Sequence, residues 1–236
     1  MTDPTIALVP APEDEEHARD RAHWIRENTE SIGQAVQRRI PARYTDAVVS
    51  VEGVADWVRL LVKASPRHPM QSPVIHTGPS LLLLGPTGTG KTFQAWGAIR
   101  ALAASGARFT FQFTTAADMY AKLRPRHGVD SEREFETYLK TGVLVVDDLG
   151  AAKSSEWVEE VNYRLINTRY EQGLPTLCTS NVPVKQLADH LGDRVTSRLT
   201  EMALRVVLEG QDRRRASGLQ IVREPGRPAA LRVVDE

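Results

Sequence analysis

The chain has 236 residues and a formal net charge of +0 at pH 7. Its length allows one full domain with some additional chain, because domains usually span roughly 100–200 residues. The neutral balance means that any contact with nucleic acid has to come from a local basic patch or from a ring of subunits. Cys178 is the single cysteine, which excludes an internal disulfide and a cysteine zinc cluster.

The sequence carries no signal for a membrane or for secretion. No apolar run approaches the ~20 residues that span a bilayer, and residues 1–10 lack a basic start followed by an apolar core. A single cysteine also fits a reducing compartment. We therefore expect a cytoplasmic protein.

The N-terminal quarter divides into an arm and a helical region. Residues 1–16 combine prolines with a run of acidic residues, a composition typical of a disordered acidic arm. Residues 17–65 are predicted to be helical, because apolar residues recur at helical spacing from residue 17 to about 39 and again from 54 to 64. The first of these helices could belong to the core or present a docking face for a partner.

Strands and helices alternate from residue 66 to residue 215. Strands are expected at residues 81–84, 108–113, 143–146, 176–179 and 203–208. Helices are expected at residues 93–104, 116–123, 132–139, 154–170 and 184–191. This order predicts an α/β fold with a mostly parallel five-stranded sheet and helices on both faces, in which ligands bind beyond the carboxyl ends of the strands. No element is assigned to the C-terminal tail, residues 216–236.

Residues 85–92 read GPTGTGKT and follow the first apolar strand directly. They fit the G-x-x-x-x-G-K-[ST] spacing between a strand and a helix. In such a loop backbone N–H groups surround the phosphates, the lysine reaches the β- and γ-phosphates, and the hydroxyl ligates magnesium. We therefore predict ATP and magnesium as cofactors. The predicted nucleotide-binding residues in this segment are Gly85, Pro86, Thr87, Gly88, Thr89, Gly90, Lys91, Thr92 and Phe93.

Two carboxylates, Asp147 and Asp148, end the apolar strand at residues 143–146. On its own, an acidic pair after a strand is more often the start of a solvated loop. Its place behind a phosphate loop favours a catalytic pair, in which Asp147 shares the magnesium with Thr92 and Asp148 orients the attacking water. Aspartate at the second position is one methylene shorter than glutamate, so slow hydrolysis is expected.

Three further polar side chains are candidates for the γ-phosphate. Asn181 follows the strand at residues 176–179, where it would point at this phosphate, although Ser-Asn before Pro183 is also ordinary turn chemistry. Arg194 and Arg198 lie one helical turn apart on one face. Paired arginines are usually a solvated helix face. Here they could reach the ATP of a neighbouring subunit, where an arginine can raise hydrolysis by ~10³–10⁵.

Two basic groups are candidates for contact with nucleic acid. The first is an aromatic residue followed by cations, a weak footprint for single-stranded DNA: Tyr120, Lys122, Arg124 and Arg126. The alternative is that Tyr120 packs on the core. The second group, Arg213 to Arg215, is either a solubilising surface or a phosphate contact.

The motifs together resemble AAA+ ATPases, and more narrowly the DnaC/DnaI-type helicase loaders and the IstB-type transposition helpers. The resemblance rests on GPTGTGKT, VLVVDDLG, LPTLCTSN and GDRVTSRL in this order, preceded by IPARY at residues 40–44. It covers about residues 40–215. It implies an ATPase of the P-loop type, with Lys91 and Thr92 as the Walker A pair and Asp147 and Asp148 as the Walker B pair.

The resemblance also assigns roles to residues outside these two motifs. Asn181 would be sensor 1, and Arg198 the arginine finger, with Arg194 as a supporting or alternative arginine. Arg215 falls at the sensor 2 position. Residues 116–123 sit where the family places its contact with single-stranded DNA, and residues 40–44 where it places the segment beside the adenine.

These expectations leave three functions open. The first is an ATP-dependent loader of a replicative DnaB-type helicase, which binds single-stranded DNA as a homo-oligomeric ring or spiral, such as a hexamer. The second is an IstB-type helper of a transposase, acting on duplex DNA. The third is an adaptor that binds ATP and a protein partner with negligible turnover.

Overall fold

The computed structural model describes residues 15–65, 73–128, 130–151, 155–210, 219–222 and 230–233. The predicted acidic arm up to residue 14 and the arginines at 213–215 lie outside these residues. Five strands form one parallel sheet: β1 (Ser80–Leu84), β2 (Phe111–Thr115), β3 (Val143–Asp147), β4 (Thr176–Ser180) and β5 (Ala203–Val207). Their order is β2-β3-β4-β1-β5. The predicted parallel α/β fold is confirmed.

Eight α-helices accompany the sheet in the described part of the chain. They are α1 (Glu15–Gln37), α2 (Glu52–Ala64), α3 (Lys91–Ala104), α4 (Ala116–Leu123), α5 (Ser131–Lys140), α6 (Glu156–Glu171), α7 (Leu187–Leu191) and α8 (Asp193–Met202). Single 3-10 turns lie at Ala42–Tyr44 and Val184–Gln186. The helix predicted at residues 184–191 is therefore a 3-10 turn followed by α7. In the region predicted as a tail, Leu219–Val222 (β6) pairs antiparallel with Ala230–Val233 (β7).

Each strand of the sheet centre contributes side chains to two separate cores. Leu81 and Leu83 of β1 pack with α1, α2 and α3, whereas Leu82 and Leu84 pack with the helices from α4 to α8. All four leucines are at most 2% exposed. This alternation explains why the strand sequence is apolar without interruption, since a parallel strand covered on both faces has no solvent side.

Strand β2 lies at one edge of the sheet and differs from its predicted position. It begins at Phe111, three residues later than expected, and ends at Thr115. Its register with β3 pairs Phe111 with Val143 and Thr115 with Asp147, so the two strands end level. Arg108, the predicted first residue, instead forms an isolated bridge with Val74.

The helical N-terminal region is part of the sheet's first core. The apolar stripe of α2 (Val54, Trp57 and Leu61) is completely buried, and the Trp57 indole N–H donates to the Pro79 carbonyl at 2.8 Å. In α1, Val36 belongs to the same core at 2% exposure. The C-terminal half of the first predicted helix therefore packs as core, and a docking face on this helix stays a prediction.

The linker between α1 and α2 is held directly on α3. The Gln94 side-chain oxygen accepts hydrogen bonds from the backbone N–H groups of Ser50 and Val51 at 3.0 and 3.2 Å. At Gly97 the linker approaches so closely that a Cβ atom would lie 2.6 Å from the Val48 carbonyl carbon. Because α3 begins at the phosphate loop, the N-terminal region and this loop are fixed to the same helix.

A buried arginine joins α6 to two strands. Arg169 is 0% exposed and donates to the carbonyl oxygens of Tyr138, Thr141 and Pro175 at 2.8–2.9 Å and to the Thr176 hydroxyl at 2.7 Å. Burial lowers the pKa of its guanidinium to about 10. These bonds fix the segments that lead into β3 and β4. No helix among the described residues is long and apolar enough to cross a membrane.

We predict that Arg169→Lys destabilises the protein by about 3–5 kcal/mol, because one ammonium cannot satisfy carbonyl groups spread around a planar guanidinium and a buried charge remains. Denaturant unfolding measures the loss. The matched control is Arg164→Lys on the same helix, where an exposed ion pair with Glu132 predicts a change within about 1 kcal/mol. Equal effects of the two substitutions would contradict the assignment.

Candidate functional site

The phosphate loop connects β1 to α3 and is closed by its own lysine. The Lys91 ammonium donates to the carbonyl oxygens of Gly85 and Pro86 at 2.7 and 2.9 Å. Gly85 has a φ of 149°, and a Cβ atom there would lie 2.3 Å from the Leu208 carbonyl oxygen. Only glycine fits at this position. The loop thus places a cation and the N-terminus of α3 at the carboxyl end of β1, an arrangement that favours bound phosphate.

The carboxylate of Asp147 lies between two hydroxyl groups at the end of β3. Thr92 donates to it at 2.9 Å from the first turn of α3, and Thr179 donates at 2.6 Å from β4. The structure places Asp147 and Thr92, which the motifs predict as shared ligands of magnesium, next to each other. Thr179 was missed as a site residue, although it stands in the quoted LPTLCTSN segment.

Burial raises the pKa of the Asp147 carboxyl above its ordinary value. The neighbouring charge of Asp148 acts in the same direction, whereas the hydrogen bonds from Thr179 and Thr92 and the charge of Lys91 lower it. Asp147 is only 5% exposed. The fold therefore holds a carboxylate where ionisation is costly, as expected for a group whose charge is required by a ligand.

These oxygens fit the predicted magnesium. Magnesium prefers oxygen ligands and is usually bound by one or two protein groups together with substrate phosphates. Thr92 and Asp147 supply a hydroxyl and a carboxylate on adjacent elements, within 2.9 Å of each other. The buried carboxylate has a negative charge that a divalent cation would compensate.

A cavity of about 480 Å³ opens over the phosphate loop. Its lining residues are Arg43, Tyr44, Thr87, Gly88, Gly90, Lys91, Thr92, Phe93, Asp148, Ala151 and Asn181. The structure therefore brings the predicted catalytic residues Asp148 and Asn181 to the loop. Arg43 and Tyr44, from the segment expected beside the adenine, line the same cavity.

Asp148 has a backbone conformation that differs from the other described non-glycine residues. Its φ of 56° is the single positive value among them, and its N–H donates to the Thr179 hydroxyl at 2.9 Å. Its side chain is exposed to the cavity. The turn directs Asp148 away from the buried position of Asp147, so the two neighbouring carboxylates have separate environments.

The two candidate arginines lie elsewhere on the same molecule. Neither Arg194 nor Arg198 is among the described residues that line the cavity. Both are on α8, where their guanidinium carbons lie 5.8 and 5.3 Å from the ring centre of Tyr163 on α6. The structure thus assembles the phosphate loop, the carboxylates and Asn181 in one site, and it keeps the arginines apart from it.

The candidate DNA-binding residues on and after α4 do not share one surface. Tyr120 is 5% exposed and donates to the Asn162 side chain at 2.7 Å, so its ring packs in the core and cannot stack on a base. Arg124 lies over the Trp157 ring. Lys122 and Arg126 line a groove of about 1080 Å³ along the outer edge of β2.

The lining of this groove is basic on balance, because four cations outnumber the carboxylates of Asp118 and Asp147, and the groove opens beside the nucleotide cavity. Two further cations, Arg39 and Lys140, line it. Thr92 and Tyr44 line both the groove and the cavity over the phosphate loop. A ligand in the groove would therefore lie next to the nucleotide. Its aromatic lining comes from Tyr44, Trp96, Phe111 and Phe113 rather than from Tyr120.

The family model described as IstB-like ATP binding protein matches residues 72–215. The chain belongs to this IstB-like family. A putative insertion sequence ATP-binding protein of Sinorhizobium fredii is 30% identical over 160 residues, or 65% of this chain and 53% of the relative. The replicative helicase loader DnaI of Bacillus subtilis is 26% identical over 58% of this chain and 48% of that protein. The IstB-like chain thus spans about half the length of these curated relatives.

Solved structures agree on the fold. The crystal structure of the DnaC helicase loader has a TM-score of 0.58 and 26% identity, and the match covers 72% of the IstB-like chain and 100% of that chain. AMPPCP-bound DnaA from Aquifex aeolicus has a TM-score of 0.53 at 19% identity, over 74% of this chain and 49% of that one. The predicted AAA+ P-loop fold is confirmed, and the family membership supports binding of ATP.

We predict that Asp147→Asn stabilises the nucleotide-free protein by about 0.5–2 kcal/mol while it abolishes magnesium-dependent hydrolysis of ATP, since it removes a buried charge that the site needs for its ligand. Denaturant unfolding and phosphate release measure the two effects. Because the folded-state pKa lies above the unfolded value, the stability gap to wild type should widen as pH rises between these two pKa values and then stay constant.

The control for this prediction is Asp148→Asn. This neighbouring carboxylate is exposed, so its neutralisation should leave stability within about 0.5 kcal/mol. A less stable Asp147→Asn protein would show that the carboxylate holds the fold rather than a ligand.

Proposed function

We propose that the protein is an ATPase that assembles on DNA and uses ATP as a switch to hold and release a partner protein. The observation that carries this proposal is the division of the catalytic groups. Residues of the phosphate loop, Asp148 and Asn181 line one cavity, and Asp147 is hydrogen-bonded to the lining residue Thr92, whereas Arg194 and Arg198 lie outside the cavity. Such a half-site gains full activity when a second copy supplies the arginine.

Within one copy, each group has a distinct task. Lys91 and the first turn of α3 would bind the β- and γ-phosphates, and Thr92 and Asp147 would hold magnesium. When bound, magnesium neutralises charge that develops on the phosphates. Asp148, exposed in the cavity, accepts a hydrogen bond from the attacking water. Asn181 donates to the γ-phosphate and reports whether this phosphate is present.

The short side chain of Asp148 makes this switch slow. Carboxylates one methylene longer reach further from the strand end, so an aspartate activates a water molecule less effectively in this geometry. Slow hydrolysis gives the ATP-bound assembly a long lifetime on DNA. Arrival of the partner or of DNA would then set the time of release.

Two partner classes fit this switch. A replicative helicase of the DnaB type is suggested by the similarity to the DnaC and DnaI helicase loaders. A transposase is suggested by the IstB-like family and by relatives encoded in insertion sequences. ATP-dependent co-elution of the full chain with one of these proteins, and not with the other, decides between them. A protein that binds ATP and a partner but hydrolyses nothing in a single turnover would support the adaptor alternative.

We predict that Arg198→Ala lowers the kcat for ATP by about 10³-fold and leaves the KM within a few-fold, because an arginine supplied in trans acts on the transition state. Lys91→Ala should be inactive through loss of phosphate binding. A mixture of the two inactive variants should regain hydrolysis, since the Lys91→Ala copy can lend its Arg198 to the intact cavity of the other. A mixture without activity would contradict completion of the site between copies.

We predict that DNA binds in the basic groove along β2. Lys122→Ala and Arg126→Ala should each weaken binding at every sequence and reduce the slope of log affinity against log salt by about 1. Arg124→Ala is the matched control, because Arg124 lies over Trp157 away from the groove. Fluorescence anisotropy with single-stranded and duplex DNA at several salt concentrations measures this. An equal effect of Arg124→Ala would place the DNA elsewhere. Preference for single strands supports the loader, and preference for duplex supports the transposase helper.

A further inference from the structure

The guanidinium of Arg198 is held by aromatic rings instead of by acceptors. Its central carbon lies 5.3 Å from the ring centre of Tyr163 and 5.8 Å from that of Tyr170. Both tyrosines belong to α6 and lie seven residues apart, so they present their rings on one face of that helix. In the described structure, the Nε of Arg198 is buried and makes no hydrogen bond, and the side chain has no ion pair.

Aromatic contact differs from an ion pair because it leaves the N–H donors of the arginine available for another ligand. A ring face attracts the flat guanidinium without taking up its N–H donors. A carboxylate would occupy these donors and neutralise the charge. Arg198 is therefore restrained in position and is not paired with a carboxylate of the described residues, which suits an arginine that binds a phosphate.

Glu201 is the acidic residue placed to form an ion pair with Arg198, but its carboxylate is hydrogen-bonded to one of the same tyrosines. Glu201 follows Arg198 by three residues on α8, the spacing at which acid and base pair along a helix. Its carboxylate instead accepts a hydrogen bond of 2.6 Å from the Tyr170 hydroxyl. Tyr170 thus supports the arginine with its ring and holds the acid with its hydroxyl.

We infer that Tyr163 and Tyr170 are positioning residues that hold Arg198 unpaired and ready for the γ-phosphate of ATP bound to a second copy of this chain. This inference rests on the proposed completion of the site between copies. It adds residues of α6 that no motif contains, and it assigns Glu201 as the group that these residues keep away from the arginine.

The test uses the mixture of two inactive full-length variants. The Lys91→Ala copy supplies Arg198 and is called the lending copy, and the Arg198→Ala copy binds the ATP. Tyr163→Leu placed in the lending copy should lower the recovered kcat by about 10–100-fold at unchanged KM, because a displaced catalytic group is costly. The same change in the copy that holds ATP should have no effect. Tyr163→Phe keeps the ring, so the recovered kcat should remain within two-fold when this change is made in either copy.

A second set of variants addresses Glu201 and does not depend on the stability of Tyr163→Leu. Tyr170→Phe keeps the ring but frees the carboxylate, which should then pair with Arg198 and lower the kcat several-fold. Adding Glu201→Gln should restore the rate. A merely structural role of Tyr170 would give a loss that Glu201→Gln does not reverse.

The outcomes separate this inference from the proposed function. A parent mixture without activity overturns the completion of the site between copies. If the parent mixture is active but Tyr163→Leu lowers the kcat equally in both copies, only the positioning role is overturned. The same holds if Glu201→Gln leaves the kcat of the Tyr170→Phe protein unchanged. Dependence on the lending copy, together with rescue by Glu201→Gln, supports the inference.

Discussion

The carboxylate of Asp147 is the group on which the site depends. It receives hydrogen bonds from Thr92 at the start of α3 and from Thr179 near the end of β4, and thereby ties three elements together at the carboxyl edge of the sheet. The same atoms that stabilise this junction are the oxygens that suit magnesium. Because the carboxylate is buried, its charge opposes folding, and a bound cation would compensate that charge. A cation bound at this carboxylate would therefore act on the geometry of the sheet edge through one side chain.

Contacts on both faces of the sheet position the other residues of the site relative to this junction. Helix α3 carries the phosphate loop at its first turn and holds the N-terminal linker through Gln94, so the segment with Arg43 and Tyr44 is fixed relative to the phosphate loop. On the other face of the sheet, α6 is anchored by Arg169 and supports α8 through two tyrosines. One side of the molecule thus forms the cavity over the phosphate loop, and the other carries the arginine that we propose acts on the ATP of a second copy.

Local motifs predicted the sheet, the phosphate loop and the pair of carboxylates, because strand patterns and loop spacing depend on consecutive residues. Contacts between distant segments outside these motifs were not predictable in this way. Thr179 binds Asp147 across 32 residues, and the rings below Arg198 come from a helix without a motif. Tyr120 shows the same limit: its aromatic character fits both a base-stacking platform and the core, and only tertiary packing against Asn162 decides for the core. The role of Arg215 stays a prediction, since this residue lies outside the described part of the chain.

The central claim is that the ATP site of one copy is completed by another. If one copy contains a complete site, its rate of ATP hydrolysis does not depend on assembly. If the site is shared, hydrolysis requires contact between two copies. The most direct measurement is the rate of ATP hydrolysis per copy of the wild-type protein as its concentration is raised, with assembly followed by light scattering in the same samples. We predict a rate per copy that rises with concentration and levels off when assembly is complete. A rate per copy that stays constant through the assembly transition would contradict it.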